Sequence, residues 1–136
     1  MASTFNKFDY FVEDITKKIH NLGSDQLTVA LTDTLPVRTN HVLADITQIS
    51  YTNLGSRNIT TISDSQTSGT LNLKLTSFTI AATGTVAQFR YVVIYNSTAA
   101  SGNLIGWFDY GSEVNLTNTQ SLSITFDGTN GLLSIA

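Results

Sequence analysis

The side chains that could perform chemistry are few, and they do not stand at catalytic spacings. The chain has two histidines, His20 and His41, and no cysteine. No HxH, HExxH or comparable cluster of metal ligands occurs, and neither does the GxSxG nucleophile elbow or the phosphate-binding GxxxxGK[ST] loop. We interpret His20 as a residue near a helix C-terminus, where a protonated imidazole favours the helix dipole, and His41 as a loop residue. The sequence therefore predicts no metal site, no cofactor and no catalytic residue.

Paired carboxylates offer another route to chemistry, because two of them suffice for glycoside hydrolysis. Most of the acidic residues after Gly23 lie in turns, where Asp normally accepts backbone hydrogen bonds. Asp109 differs because it stands between Phe108 and Tyr110 in an apolar strand. A backbone group, a cation or exposure on the outer face would each account for it. A glycan-cleaving enzyme that uses Asp109 and Glu113 is a remote alternative, since it needs the carboxylates about 5–9 Å apart across a cleft.

Residues 3–22 have the periodicity of one amphipathic α-helix. We predict Ser3 or Thr4 as its N-cap and Gly23 as its left-handed C-cap. Tyr10 lies on the polar face and breaks the pattern, which makes it a candidate protein-interface residue. At 100° per residue, the apolar side chains fall within an arc of about 120°; they are Phe5, Phe8, Phe11, Val12, Ile15, Ile19 and Leu22.

Residues 26–136 have the alternation and turn chemistry of seven or eight short strands. Residues 85–95 are apolar on both faces, so we expect this strand to be covered on both, with the N-terminal helix on one of them. Between Leu75 and Phe78 the apolar residues change from one face of the extended chain to the other. This change predicts either a β-bulge or a strand that changes sheets. Residues 127–131 are predicted to form a hairpin turn. The pattern predicts a single domain over 1–136, mainly β, folded as an antiparallel jelly-roll-like or Greek-key sandwich with one N-terminal helix.

The segment from Gly106 to Gly111 is the most aromatic part of the chain. Trp107 falls on the strand face opposite Phe108 and Tyr110. One set is expected to fill the core, while the other lies under the helix or is exposed as an anchor. Exposed aromatic residues are enriched at interface hot spots. We therefore take Trp107, with Tyr10, as a candidate interface residue whose truncation should leave the fold intact.

The composition is polar but weakly charged. Thr, Ser and Asn make up about a third of the chain, while charged residues make up 12%, against about 25% in ordinary domains. With a net charge of −3, the chain lacks the excess of positive charge that is typical of proteins that bind nucleic acid. No apolar run approaches the roughly 20 residues that cross a bilayer, and no signal peptide is apparent. Strand edges are usually guarded by charge or proline, and after Gly23 the only cations are Arg38, Arg57, Lys74 and Arg90. This scarcity favours a protein whose surfaces are occupied in an assembly.

A series of short segments forms a layout that spans most of the chain. They are Ala2-Ser3-Thr4-Phe5-Asn6-Lys7-Phe8, Val29-Ala30-Leu31-Thr32 with Pro36, Phe89-Arg90-Tyr91, Tyr95-Asn96, Leu104-Ile105-Gly106-Trp107 and Asp109-Tyr110-Gly111. In this layout the chain resembles the capsid decoration, or cement, proteins of tailed bacteriophages. The resemblance implies a jelly-roll-like sandwich without catalytic activity that binds outside the shell of the major capsid protein as a dimer or trimer.

The function predicted from the sequence is therefore that of a non-enzymatic virion protein. Its expected partners are the major capsid protein and further copies of itself, with no nucleic acid and no membrane. Its expected location is the capsid exterior, after synthesis in the cytoplasm of the bacterial host. The alternative from another class is a receptor- or carbohydrate-binding module of a phage tail or head fibre, because jelly rolls often serve as lectin domains.

Overall fold

A computed structural model describes residues 3–136, leaving out the side chain of Ser63. This part of the chain is mainly β, with several antiparallel sheets and one α-helix. In chain order the elements are β1 Asn6–Lys7, α1 Tyr10–Thr16, β2 Leu27–Thr32, a 3-10 helix Leu43–Asp45, β3 Asn58–Ile59, β4 Thr61–Thr67, β5 Thr70–Leu75, β6 Phe78–Ala81, β7 Phe89–Asn96, β8 Leu104–Val114, β9 Ser121–Ile124 and β10 Leu133–Ile135. None of the helices in residues 3–136 is long and apolar enough to span a bilayer.

The strands form three antiparallel sheets within the described residues. The orders are β1-β8-β7-β2-β3, β10-β5-β4 and β6-β9. The chain leaves one sheet at Leu75 and enters another at Phe78. The parity shift in the sequence is therefore a strand that changes sheets. The predicted hairpin at 127–131 is wrong, because β10 pairs with β5 and not with β9. A turn does form there, since Asp127 Oδ1 accepts the N–H groups of Thr129 and Asn130.

The described residues bury two apolar clusters, and β7 contributes to both. Val92 and Ile94 belong to one cluster, while Tyr91, Val93 and Tyr95 belong to the other. The prediction that this strand is covered on both faces is confirmed. Phe89 shares the parity of Tyr91 but packs with Val92, because the register against β8 shifts between Phe89 and Tyr91.

The helix is much shorter than the predicted 3–22. Asn6 and Lys7 pair with β8 as an edge strand, so Ser3 and Thr4 cap nothing and the helix begins only at Tyr10. It ends at Thr16, well before Gly23. Lys18 takes the left-handed conformation at φ 63°, and the Ile19 N–H donates to the Asp14 carbonyl at 2.9 Å. This backbone conformation and this hydrogen bond form the C-terminal turn that Gly23 was expected to make.

The cover on the Tyr91 face of the five-stranded sheet is also different from the prediction. Phe8, in the connection between β1 and α1, packs there together with Ile46 and Leu43 from the 3-10 helix segment. The helix itself lies beside the start of β8, and its Phe11 is buried in the opposite cluster. The N-terminal phenylalanines are thus divided between two clusters because the strand breaks the helical stripe.

Candidate functional site

The two interface candidates have different environments. Trp107 is 9% exposed, and its ring centroid lies 4.7 Å from that of Phe8. It is a core residue and not an exposed anchor, which corrects the expectation that its loss would leave the fold intact. Tyr10 is 39% exposed, and its ring stacks on His41 with centroids 4.1 Å apart. Its place at an interface stays a prediction.

A buried polar cluster lies where α1 meets the turn between β7 and β8. Asp14, on the inner face of α1, is 2% exposed. His41 Nε2 lies 2.9 and 3.0 Å from its two oxygens, and Asn103 Nδ2 donates to Oδ2 at 2.9 Å. A carboxylate buried without such donors would cost several kcal/mol. Since a carboxylate accepts only, Nε2 of His41 carries the hydrogen.

His20 belongs to the same cluster, although the sequence placed it near the C-terminus of the predicted helix. Its side chain is fully buried, beyond the end of α1, and its Nδ1 lies 3.1 Å from Asn96 Nδ2. Burial lowers the pKa of His20 below its ordinary value, against the opposing effect of the Asp14 and Asp25 carboxylates. Within residues 3–136, Nε2 of His20 has no hydrogen-bond partner, and Asp14 Oδ2 lies 4.0 Å away.

Sequence reasoning missed this cluster because its members are far apart in the chain and form no motif. The one available signal was the three-residue spacing of Asp14 from Phe11, which puts both on one helix face. In the described part of the chain, no group of three or more His, Asp or Glu side chains is arranged to hold a metal ion. The polar cluster therefore connects α1, the loop that contains His41 and the turn between β7 and β8.

Asp109 has the cationic partner that was one of its predicted explanations. Arg90 grips it with Nε at 2.8 Å from Oδ1 and Nη2 at 3.1 Å from Oδ2. The Gly111 N–H also donates to Oδ1 at 2.8 Å. The Arg90 guanidinium and this N–H lower the pKa of Asp109. Glu113 is exposed further along β8, and the geometry assigns Asp109 a structural ion pair.

An open apolar groove of about 550 Å³ lies between the N-terminal segment, β8 and β9. Tyr110, at its rim, is 48% exposed, and Phe5 and Phe108 pack against each other with centroids 5.4 Å apart. The apolar side chains lining it include Phe5, Phe108, Tyr110, Leu122, Ile124 and Phe126. Ser123 and Thr125 also line the groove, so one wall is the edge of β9.

The backbone of β9 has unpaired groups along this edge. In an antiparallel pair, hydrogen-bonded and non-hydrogen-bonded residue pairs alternate. Ala82 N–H donates to Gln120, and the Ala81 carbonyl points away to Gly55. The Ala81–Ser121 pair is therefore not hydrogen-bonded, and Ser121 and Ser123 direct their N–H and C=O groups away from β6. No other strand of residues 3–136 pairs with β9.

The edge of β2 is guarded, in contrast to that of β9. Where β2 extends past its pairing with β3, the Leu31 N–H donates to the Tyr51 hydroxyl at 3.0 Å. Arg57 donates to the Val29 carbonyl, and its guanidinium lies 3.6 Å from the centroid of the Tyr51 ring. Side chains thus occupy backbone groups that another strand would otherwise use. The scarcity of cations in the sequence did not reveal this protection.

Comparison of the chain with protein-family models finds none that matches. Comparisons with characterised proteins and with solved structures likewise find no match.

Proposed function

We propose that this protein is a capsid decoration protein, a non-enzymatic virion component that binds the outer surface of a tailed-phage capsid. The observation that carries the proposal is the apolar groove beside the open edge of β9. Unpaired backbone groups next to partly exposed apolar side chains favour addition of a strand from another polypeptide. The resemblance of the sequence layout to cement proteins supports the choice of partner.

The fold proposed for this role is an antiparallel sandwich of the jelly-roll or Greek-key kind. One apolar cluster contains residues of the five-stranded sheet, such as Leu31 and Ile94, together with residues of the two smaller sheets, such as Leu73 and Ile80. A core shared by several sheets supports a layered, sandwich-like arrangement.

In this proposal a segment of the major capsid protein lies along β9 as an added strand. It accepts from the Ser123 N–H and covers Phe108 and Tyr110. Many weak contacts that each hold adjacent capsid subunits resist expansion together through multivalency. The protein also contacts copies of itself around a symmetry axis of the capsid exterior.

Stoichiometry on purified particles tests the role. We expect copy numbers comparable to those of the major capsid protein, measured by quantitative mass spectrometry and located by cryo-EM. A few copies confined to the tail tip would overturn the proposal.

A pair of variants at one position tests the groove. Ser123→Pro removes an N–H group that no hydrogen bond within residues 3–136 uses, whereas Ser123→Ala retains it. Proline is tolerated where the N–H of an edge strand faces outward. We expect Ser123→Pro to lose particle binding and Ser123→Ala to keep it, with circular dichroism spectra unchanged in both. Equal binding by the two folded variants would show that the β9 edge is not the contact.

A carbohydrate-binding module is the second candidate function. It is favoured by Tyr110, whose half-exposed ring beside Phe108 offers a surface for a sugar ring. A glycan array distinguishes the two. Saturable binding of a defined glycan that Tyr110→Ala abolishes would support this candidate, and the decoration proposal expects none.

A further inference from the structure

Within residues 3–136, the His20 ring has one hydrogen bond, to the Asn96 amide, and the other bonds of that amide determine which ring nitrogen carries the hydrogen. Asn96 Oδ1 accepts the N–H groups of Thr98 at 3.0 Å and Ala99 at 3.2 Å. The amide therefore cannot turn over without losing both bonds. Its Nδ2 donates to His20 Nδ1 at 3.1 Å and to Asp25 Oδ2 at 2.6 Å, which uses both of its hydrogens. His20 consequently accepts at Nδ1 and carries its hydrogen on Nε2.

A second proton on His20 has no place in this arrangement. It would have to bind Nδ1, where the Asn96 amide already points a hydrogen at the ring. The imidazolium would also be desolvated, because its side chain has no exposed surface. Both effects favour departure of the ring from its site when it becomes charged, together with the backbone of residues 19–25 that carries it.

We propose that His20 is a proton-sensitive latch, which fastens residues 19–25 and the end of α1 to the turn after β7 and releases them on acidification. The latch is independent of capsid binding and goes beyond the proposed function. Its opening uncovers Leu22, which is 8% exposed in the closed state, and separates the imidazole from the Phe11 ring, whose centroid lies 5.2 Å away.

The charged and titratable groups around His20 come from three elements. Asp14 faces it from α1, Asp25 from the turn before β2, and His41 from the loop beside Tyr10. Both carboxylates favour the protonated ring, while His41 and burial disfavour it, and burial is the largest effect. The balance lowers the pKa of His20 in the closed state.

The sign of the pH dependence follows from this direction. The open state, with an ordinary histidine pKa of about 6.5, binds more protons than the closed state. Opening is therefore suppressed above that pH and becomes easier as the pH falls through it. A histidine that stays neutral in the closed state makes opening about tenfold more favourable at pH 5.5 than at pH 7.5.

Nuclear magnetic resonance of the unmodified protein tests the fixed protonation state directly. With two histidines in the chain, the ring nitrogen spectra are simple to assign. We expect His20 to be the Nε2–H tautomer at pH 7.5 and to remain neutral in the folded protein at pH 5.5. Titration of His20 with a midpoint near 6.5 and no loss of structure would overturn the proposal.

Hydrogen exchange tests the opening. After correction for intrinsic rates, protection of the Ile19 and Asp25 amides should fall about tenfold from pH 7.5 to 5.5, while that of the β2–β7 pairs stays constant. His20→Gln, which can still accept from Asn96, should abolish this loss, and His41→Gln is the matched control that should retain it. An equal loss in folded His20→Gln and the unmodified protein would assign the effect to another group and refute the latch.

Discussion

Truncation of Trp107 separates the structural interpretation of this residue from the sequence-based one. Its indole is 9% exposed and packs on Phe8 within the cluster of Tyr91 and Val93. Removing a buried aromatic side chain costs about 3–5 kcal/mol, because apolar contact is lost and a cavity remains. We therefore expect Trp107→Ala to lower the free energy of unfolding by that amount.

Urea unfolding measures the effect. It is followed by far-UV circular dichroism and not by tryptophan fluorescence, because the variant lacks the chain's one tryptophan. For 136 residues, an unfolding entropy of about 2.1 cal/mol/K per residue makes 1 kcal/mol equivalent to about 3.5 °C. The melting temperature should thus fall by about 10–17 °C. An unchanged slope of free energy against urea concentration would show that the comparison is between equivalent states.

Tyr10→Ala is the control, because Tyr10 is 39% exposed and its truncation removes mainly the stacking on His41. We expect a loss of about 1 kcal/mol or less. If Trp107→Ala unfolded at the same urea concentration as the unmodified protein, the burial argument would fail and the exposed-anchor interpretation would return.

Three further changes test local features of the fold. Lys18→Gly should raise the free energy of unfolding by about 0.5–1 kcal/mol, because glycine adopts positive φ without strain. Lys17→Gly should lower it, because Lys17 has an ordinary φ of −89°. Thermal melts measure both effects. Arg57→Ala should speed self-association at equal protein concentration, followed by light scattering, because it frees the Val29 carbonyl on the edge of β2. The pKa of Asp45 is lowered by two backbone N–H donors, so its contribution to stability is present above about pH 3.8 and lost as the pH falls through the lowered value. Asp45→Ala should lack this part of the acid dependence in urea titrations at pH 2–5.

Some features were predictable because they depend on local pattern. The apolar run of β7 is buried on both faces, as the apolar side chains on each of its faces predicted. The parity shift after Leu75 marks the change of sheets. A cationic partner was one of the explanations for Asp109 in an apolar strand, and Arg90 is that partner.

The helix shows where local pattern misleads. Phe5, Phe8 and Phe11 have helical spacing, yet Phe5 and Phe8 flank a strand. Pairing of Asn6 with Trp107 satisfies backbone groups that a first helical turn leaves open. That pairing partner is about a hundred residues away, so no local propensity could report it.

The sequence by itself determined a mainly β chain with an N-terminal helix, weak charge and no catalytic motif, because composition and periodicity are local properties. Tertiary structure alone decided that Asp14, His20 and His41 meet in one buried cluster and that β9 is left with an open edge. Such outcomes depend on which distant segments pair and which donors a buried group finds. A carboxylate or imidazole acquires its chemical character from those neighbours, and the tertiary structure brings them together from positions far apart in the chain.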